Sequence, residues 1–137
     1  MSADLASVDA LAELTQADRE TLEKFLDGRE VDAGMALFRS GDESDELLWL
    51  VSGSAQLEVG DETLGQIDAG QMLGGMSLVH IGTRACSAIA LEDCRLLVLT
   101  RESYLRLRAD HPPIALGLQE ALVNRLASDL GKLLEEA

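Results

Sequence analysis

The sequence predicts a mainly β domain, most simply a jelly roll, with helices at both ends of the chain. Between Val31 and Leu99, glycines recur at short intervals and separate short segments rich in Val, Leu and Ile. Several of these segments alternate apolar and polar residues, and short strands with a turn every eight to twelve residues or so are typical of antiparallel barrels and sandwiches. Outside this region the apolar residues follow helical spacing.

Length and composition place the whole chain in one domain. Its 137 residues are enough for a sizeable core. Hydrophobic residues make up 47% and aromatic residues only 3%, so the predicted core is built of Leu, Val, Ile and Ala. We divide the domain into N-terminal helices (1–28), a β region (31–99) and C-terminal helices (100–137).

Net charge excludes two classes of partner. The formal charge is −14, whereas nucleic acid and anionic lipid both require a basic surface. The first residues lack the features of a secretory signal, and no apolar run is long enough to span a membrane. Cys86 and Cys94 sit among small or apolar residues and are expected to be buried thiols in a reducing compartment. These features predict a cytoplasmic protein.

The N-terminal region begins with helical signals. Thr15 is the predicted N-cap of a helix, and Asp18 stands three residues later, as in a capping box. An apolar stripe follows, and Gly28 is the predicted stop; the stripe consists of Leu22, Phe25 and Leu26. A shorter helix is expected before it, from Val8 to Leu14.

Six strands are predicted in the β region. Gly60-Asp61 separates two of them and is typical of a tight hairpin turn. The six segments are Ala36–Arg39, Leu47–Val51, Ala55–Val59, Thr63–Ile67, Cys86–Ala90 and Leu96–Leu99.

Two helices are predicted after the strands. Thr100 is the N-cap of the first, which ends near Asp110 because His111 precedes a proline. Pro112-Pro113 then opens the last helix. Its apolar positions exceed what one small barrel needs, so a second copy of the chain is the expected cover; they are Ile114, Leu116, Leu118, Leu122, Val123, Leu126, Leu130, Leu133 and Leu134. The alternative is that both sides of this helix pack on the same chain.

One stretch contains the parts of a phosphate site. Gly74 and Gly75 precede a short apolar helical turn, 76–81, and Arg84 follows. Adjacent glycines allow backbone N–H groups to approach an anion, and an arginine offers a bidentate fork to a phosphate. The alternative is a tight loop with a surface arginine that pairs with an acid such as Glu92.

Three motifs and their order resemble the cyclic nucleotide-binding domain family over nearly the whole chain. Leu37–Asp45 resembles the family's early Gly-Asp turn, Leu48–Gly53 its next strand, and Leu91–Leu99 the strand pair that leaves the barrel. The resemblance implies a jelly-roll-like β-roll with N-terminal helices and a long C-terminal helix. It also implies ligand-gated movement of that helix, not catalysis.

The resemblance assigns roles to individual residues of the glycine stretch. Gly74, Met76 and Ser77 match the family's glycine, apolar and small positions. Arg84 matches the arginine that pairs with the cyclic phosphate, and Ala85 a position where members that favour cAMP over cGMP carry alanine. The predicted ligand-binding residues are Gly74, Gly75, Met76, Ser77, Arg84 and Ala85.

This chain also departs from the family pattern. Gly75 stands where the family has the glutamate that accepts the ribose 2′-hydroxyl bond, Leu73 replaces an aromatic residue, and Thr83 replaces a proline. Loss of such a carboxylate costs a few kcal/mol, about ten- to a thousandfold in affinity. Two interpretations follow. Either the domain binds cAMP, cGMP or a related phosphate ligand weakly, or it binds no nucleotide and serves as a dimerisation or protein-interaction module.

An enzymatic role has little support in the sequence. A cupin-type metal site needs paired histidines with a carboxylate, but the two histidines, His80 and His111, lie far apart in the chain. No nucleophile elbow or Walker loop is present. We therefore expect no catalytic residue, no metal and no cofactor, and partners limited to a cyclic nucleotide, a second copy of the chain and an effector protein.

Overall fold

The computed structural model describes residues 14–73 and 82–136, with the side chains of the last helix described as far as Asn124. Within these residues the helices are α1 (Gln16–Glu23), α2 (Arg101–Asp110) and α3 (Pro112–Glu136). The strands are β1 (Asp27–Val31), β2 (Ala36–Phe38), β3 (Glu46–Ser52), β4 (Ser54–Val59), β5 (Glu62–Asp68), β6 (Met72–Leu73), β7 (Ser87–Ala90) and β8 (Cys94–Thr100).

The described strands form two antiparallel four-stranded sheets. One has the order β1-β8-β3-β6 and the other β2-β7-β4-β5. Chain neighbours therefore alternate between the sheets at several points, which is the connectivity of a roll. The predicted fold class, a jelly-roll-like β-roll with flanking helices, is confirmed.

Two apolar clusters lie on opposite faces of the first sheet. The helix–sheet cluster joins that sheet to the helices and contains Leu14, Leu22, Leu47, Trp49, Leu99, Tyr104, Leu107, Ile114, Ala115, Leu118 and Leu122. The roll cluster fills the space between the sheets and contains Leu37, Leu48, Leu50, Ala55, Ala88, Ala90, Cys94, Leu96 and Val98.

Strand β3 has a nearly continuous apolar run because both of its faces are covered. Successive side chains of a strand point to opposite faces. Leu47 and Trp49 accordingly belong to the helix–sheet cluster, while Leu48 and Leu50 belong to the roll cluster. Trp49 is fully buried, as predicted.

Most predicted element signals are confirmed. The Thr15 and Thr100 hydroxyls accept bonds from the N–H groups of Asp18 and Ser103 at 3.2 and 3.1 Å, so both threonines cap their helices. Gly60-Asp61 is the turn between β4 and β5, with Gly60 at φ 57°. All six predicted strands are present, with ends that shift by a residue or two.

Three predictions of local structure are wrong. Gly28 does not stop the first helix: α1 ends at Glu23, and Gly28 lies in β1, opposite Leu97 of β8. The β region therefore begins at residue 27 and not at 31. The sequence does not predict β1, because this edge strand has mostly exposed polar residues that give no alternation. It does not predict β6, because that strand has only two residues.

The third wrong prediction concerns a cysteine. Cys86 is only half-buried, whereas Cys94 is buried as expected.

The last helix covers the helix–sheet cluster with one stripe. Ile114, Leu118 and Leu122 are buried there, while Leu116 and Val123 are 56% and 62% exposed. The stripe beyond Asn124 and most of the short helix expected from Val8 to Leu14 lie outside the described side chains or residues. Among the described helices, none is long and apolar enough to cross a membrane.

Candidate functional site

The predicted site residues divide into two groups. Gly74, Gly75, Met76 and Ser77 lie in 74–81, outside the described residues. Arg84 and Ala85 are described, so the site is built here from Arg84 and its surroundings. The chain enters the undescribed interval from β6, whose Leu73 lies opposite Leu48 of β3.

The backbone of Arg84 is held against the loop that precedes β3. Its N–H donates to the Asp42 carbonyl at 2.7 Å, and its carbonyl accepts from the Gly41 N–H at 2.9 Å. Glu43 and Thr83 form an isolated antiparallel bridge between the same two segments. Gly41, at φ 91°, supplies the turn that this approach requires. The position of Arg84 is therefore set by backbone contacts with a distant part of the chain.

The side chain of Arg84 is buried. Only 8% of the residue is exposed. Its Nη2 donates to the Glu46 carbonyl at 2.8 Å, and its Cζ lies 4.4 Å from the centroid of the Phe38 ring. The guanidinium is thus held between the end of β2 and the start of β3.

Charges around Arg84 oppose the cost of its burial. Burial lowers the pKa of Arg84, whereas Glu46, Asp45, Cys86 and Asp42 raise it. A guanidinium stays protonated at any ordinary pH. Arg84 is therefore a buried, permanent cation close to three acids, in a chain whose net charge is −14.

The Glu46 carboxylate has a separate partner. Its two oxygens accept from Nη1 and Nη2 of Arg29 at 3.0 and 2.8 Å in a bidentate ion pair. That bond raises the pKa of Arg29. The Glu46 carboxylate faces Arg29, and Glu46 contacts Arg84 through its backbone carbonyl.

The alternative of a surface arginine paired with Glu92 is not supported. Arg84 is buried, and Glu92 accepts a bond from the Ser54 hydroxyl at 3.0 Å. Ser54 is the first residue of β4. Ser87, three residues after Arg84, lies opposite Glu58 near the other end of β4. Glu92 and Arg84 therefore belong to opposite ends of the roll.

Comparison with known proteins identifies the family. The family model for the cyclic nucleotide-binding domain matches residues 28–111, more than half of the chain. The chain belongs to the cyclic nucleotide-binding domain family. The described part of the matched range includes the early Gly-Asp turn and Arg84.

Curated relatives include regulatory proteins from distant organisms. The chain is 38% identical over 98 residues to the cyclic AMP receptor protein of Thermus thermophilus, which covers 68% of this chain and 45% of that protein. It is 29% identical over 103 residues to a cAMP-dependent protein kinase regulatory subunit of Mycosarcoma maydis, covering 70% of this chain and 20% of that protein. The matches therefore span less than half the length of these two relatives.

Solved structures share the same architecture. The Thermus thermophilus catabolite activator protein superposes with a TM-score of 0.73 at 32% identity, covering 93% of this chain and 62% of that one. The N-terminal domain of a transcriptional regulator from Streptomyces coelicolor A3(2) gives a TM-score of 0.82 at 22% identity, covering 95% and 94%. The second likeness concerns the fold alone.

In this cyclic nucleotide-binding domain, Ala85 follows Arg84 in the chain. It is exposed, whereas Arg84 is buried and Cys86 is half-buried. The two residues therefore precede β7 with opposite exposures, Arg84 buried and Ala85 exposed.

Sequence reasoning missed three residues of this site. Phe38 and Glu46 contact the Arg84 side chain, and Arg101 braces the loop between them by donating from its N–H to the Asp45 carbonyl and from Nη2 to the Ser44 carbonyl. Phe38 stands within the quoted family motif, but nothing local links it to Arg84. Only the pairing of β2 with β7 does so.

The two histidines form no metal site among the described residues. His80 lies outside them, and His111 is exposed at the C-cap of α2, with its ring edge-on to Phe25 at 5.9 Å. In 14–73 and 82–136 no group of three or more His, Cys, Asp or Glu side chains could hold a metal ion.

Proposed function

We propose that this domain is a non-enzymatic regulatory module that binds a cyclic nucleotide, or a related phosphate ligand, through Arg84. The observation that carries the proposal is the burial of Arg84 between Phe38 and the Glu46 carbonyl in a chain that belongs to the cyclic nucleotide-binding domain family. Burying a cation is costly unless it is compensated. The carboxylates of Glu46, Asp45 and Asp42 offset part of that cost, and an anionic ligand adds to the compensation.

The geometry suits a phosphate. A guanidinium carries five N–H donors in one plane, so a bond to Glu46 and a bond to a phosphate oxygen are compatible on one side chain. Contact with a negatively charged oxygen is about twice as strong as a neutral hydrogen bond. The names of two relatives, a cyclic AMP receptor protein and a cAMP-dependent kinase regulatory subunit, favour cAMP, and Ala85 favours it over cGMP.

The proposed affinity is weak because of Gly75. The resemblance places a glycine where the family carries the carboxylate that receives the ribose 2′-hydroxyl. The domain should therefore discriminate poorly between cAMP and its 2′-deoxy analogue. Gly75→Glu should tighten cAMP binding by about tenfold or more and restore a preference for the 2′-hydroxyl. Equal affinities of wild type and Gly75→Glu for both nucleotides would contradict this assignment of position 75.

Calorimetric titration with cAMP and cGMP tests the function itself. Arg84→Lys keeps the charge but removes the planar fork, and it should lower cAMP affinity by about tenfold or more. Arg39→Lys is the matched control, because Arg39 is exposed in the neighbouring loop. Unfolding midpoints of all three proteins separate lost binding from lost folding. Absence of heat from wild type up to millimolar nucleotide would favour the alternative, a domain that binds no nucleotide and acts in dimerisation or protein interaction.

The signal is proposed to pass through α3. Ligand binding shifts the population between two packings of this helix, and an effector protein reads the change. Amide hydrogen exchange with and without saturating cAMP measures it directly. Unchanged exchange throughout 112–136 at saturation would exclude this route.

A homodimer through α3 is the proposed assembly. Leu116 and Val123 are seven residues apart and both are mostly exposed, which places them on one face of the helix. Sedimentation of wild type and of a Leu116→Glu, Val123→Glu variant tests this surface, and a wild-type monomer at high concentration would contradict it. With a net charge of −14, neither nucleic acid nor membrane is proposed as a partner, and the proposed location is the cytoplasm.

A further inference from the structure

The Arg84 guanidinium lies over the face of an aromatic ring in a chain that has very few. The sequence holds two phenylalanines. Phe38, at the end of β2, has its ring centroid 4.4 Å from Cζ of Arg84. Its backbone lies opposite Ala88 of β7, so the strand that follows Arg84 is paired with the strand that carries the ring.

Two contacts of different geometry restrain the guanidinium. The face of the Phe38 ring lies 4.4 Å from Cζ of Arg84 and attracts the cation through its quadrupole. The Glu46 carbonyl receives Nη2 at 2.8 Å, and such a bond lies near the plane of the donor. The ring contact and the hydrogen bond together restrain the position of the group.

We propose that Phe38 is the positioning residue of this site, holding Arg84 so that it meets its ligand edge-on. The inference rests on the proposed function and defines the ligand chemistry further. A guanidinium carries its five N–H donors at the edge of one plane, and that edge matches two oxygens of a phosphate or another oxyanion.

The positioning is tested first without ligand. The Arg84 Nε–Hε resonance, assigned by its loss in Arg84→Lys, should be shifted upfield by the ring current of Phe38. Phe38→Leu should remove that shift, and Phe38→Tyr should retain it. Phe25→Leu is the matched control, since Phe25 is also half-buried but packs against the helix–sheet cluster. An Arg84 resonance that is the same in wild type and Phe38→Leu overturns the proposal.

Titration with cAMP then tests the consequence for binding. Phe38→Leu should weaken binding by about three- to tenfold, Phe38→Tyr should restore it, and Phe25→Leu should leave it unchanged. Equal weakening in the two leucine variants would reduce the effect to general destabilisation and overturn the proposal. If wild type binds no nucleotide, the proposed function fails, and the ligand-free resonance still decides whether Phe38 holds the guanidinium.

Discussion

The two apolar clusters share a sheet but differ in the size of their side chains. The helix–sheet cluster contains Trp49 and Tyr104 packed among leucines. The roll cluster contains three alanines and a cysteine, namely Ala55, Ala88, Ala90 and Cys94. Large side chains bury more apolar area each, and buried apolar area is the main stabilising contribution to folding.

The difference assigns different tasks to the two clusters. The helix–sheet cluster supplies more stabilisation per residue, while the roll cluster adjoins the site: Ala88 lies opposite Phe38, whose ring contacts Arg84. Substitutions on the helix side should therefore change the free energy of unfolding most. Substitutions beside Phe38 should change ligand affinity most.

Truncation of Trp49 gives the largest expected loss of stability. Trp49→Ala removes the bulkiest fully buried side chain and should lower the free energy of unfolding by about 3–5 kcal/mol. Urea unfolding followed by circular dichroism measures the loss. Trp49→Phe, which keeps much of the volume, should cost clearly less. Similar losses in both variants, or a loss below about 1 kcal/mol in Trp49→Ala, would contradict the importance given to this cluster.

Two glycines with positive φ allow a matched test of the packing at the β3–β4 turn. Gly53 has φ 96°, and a Cβ there would lie 2.6 Å from the Asp93 carbonyl oxygen and 2.8 Å from Cys94 Sγ. Gly34 has a similar φ of 86° with nothing within 4 Å. Gly34→Ala should cost about 1–2 kcal/mol through backbone strain alone, and Gly53→Ala should cost about 1–3 kcal/mol more through overpacking. Equal costs would show that the β3–β4 turn moves without penalty.

At alkaline pH, the titration of Tyr104 should change the free energy of unfolding by a smaller amount. Burial raises the pKa of Tyr104, so above the usual tyrosine pKa of about 10 the unfolded chain loses a proton that the folded chain retains. Stability therefore falls as pH rises through that range. Tyr104→Phe should flatten this fall between about pH 8 and about pH 11, measured by urea unfolding. Burial also raises the pKa of Cys94, but that contribution is common to both proteins and cancels. Parallel pH profiles would contradict the prediction.

The sequence predicts most of the fold because local signals coincide with tertiary ones. Caps at Thr15 and Thr100, the Gly60-Asp61 turn and the apolar run of β3 all appear where the pattern places them. Strand β1 is not predicted because it lies at the edge of its sheet, where its mostly exposed polar residues give no apolar–polar alternation. The first helix is predicted to extend too far because Gly28 resembles a helix stop. Its pairing with Leu97 of β8 cannot be read from the sequence.

The site is less predictable because its geometry is made by distant residues. Arg84 can be selected from the sequence by its family motif, but its burial depends on Phe38, Glu46 and the Asp42 carbonyl. Those contacts follow from the pairing of β2 with β7 and from the loop before β3. Neither can be predicted from the spacing of apolar residues in the sequence. The half-burial of Cys86 was missed for the same reason, because it depends on what adjoins the start of β7.

The central claim is that Arg84 contacts the phosphate of a cyclic nucleotide, and ³¹P spectroscopy of cAMP observes that phosphate directly. Wild type should shift or broaden the ³¹P resonance in proportion to the bound fraction. Arg39→Lys should behave as wild type does, and Arg84→Lys at the same concentration should leave the resonance close to that of free cAMP. An unchanged resonance with wild type, or an equal change with Arg84→Lys, would contradict the account.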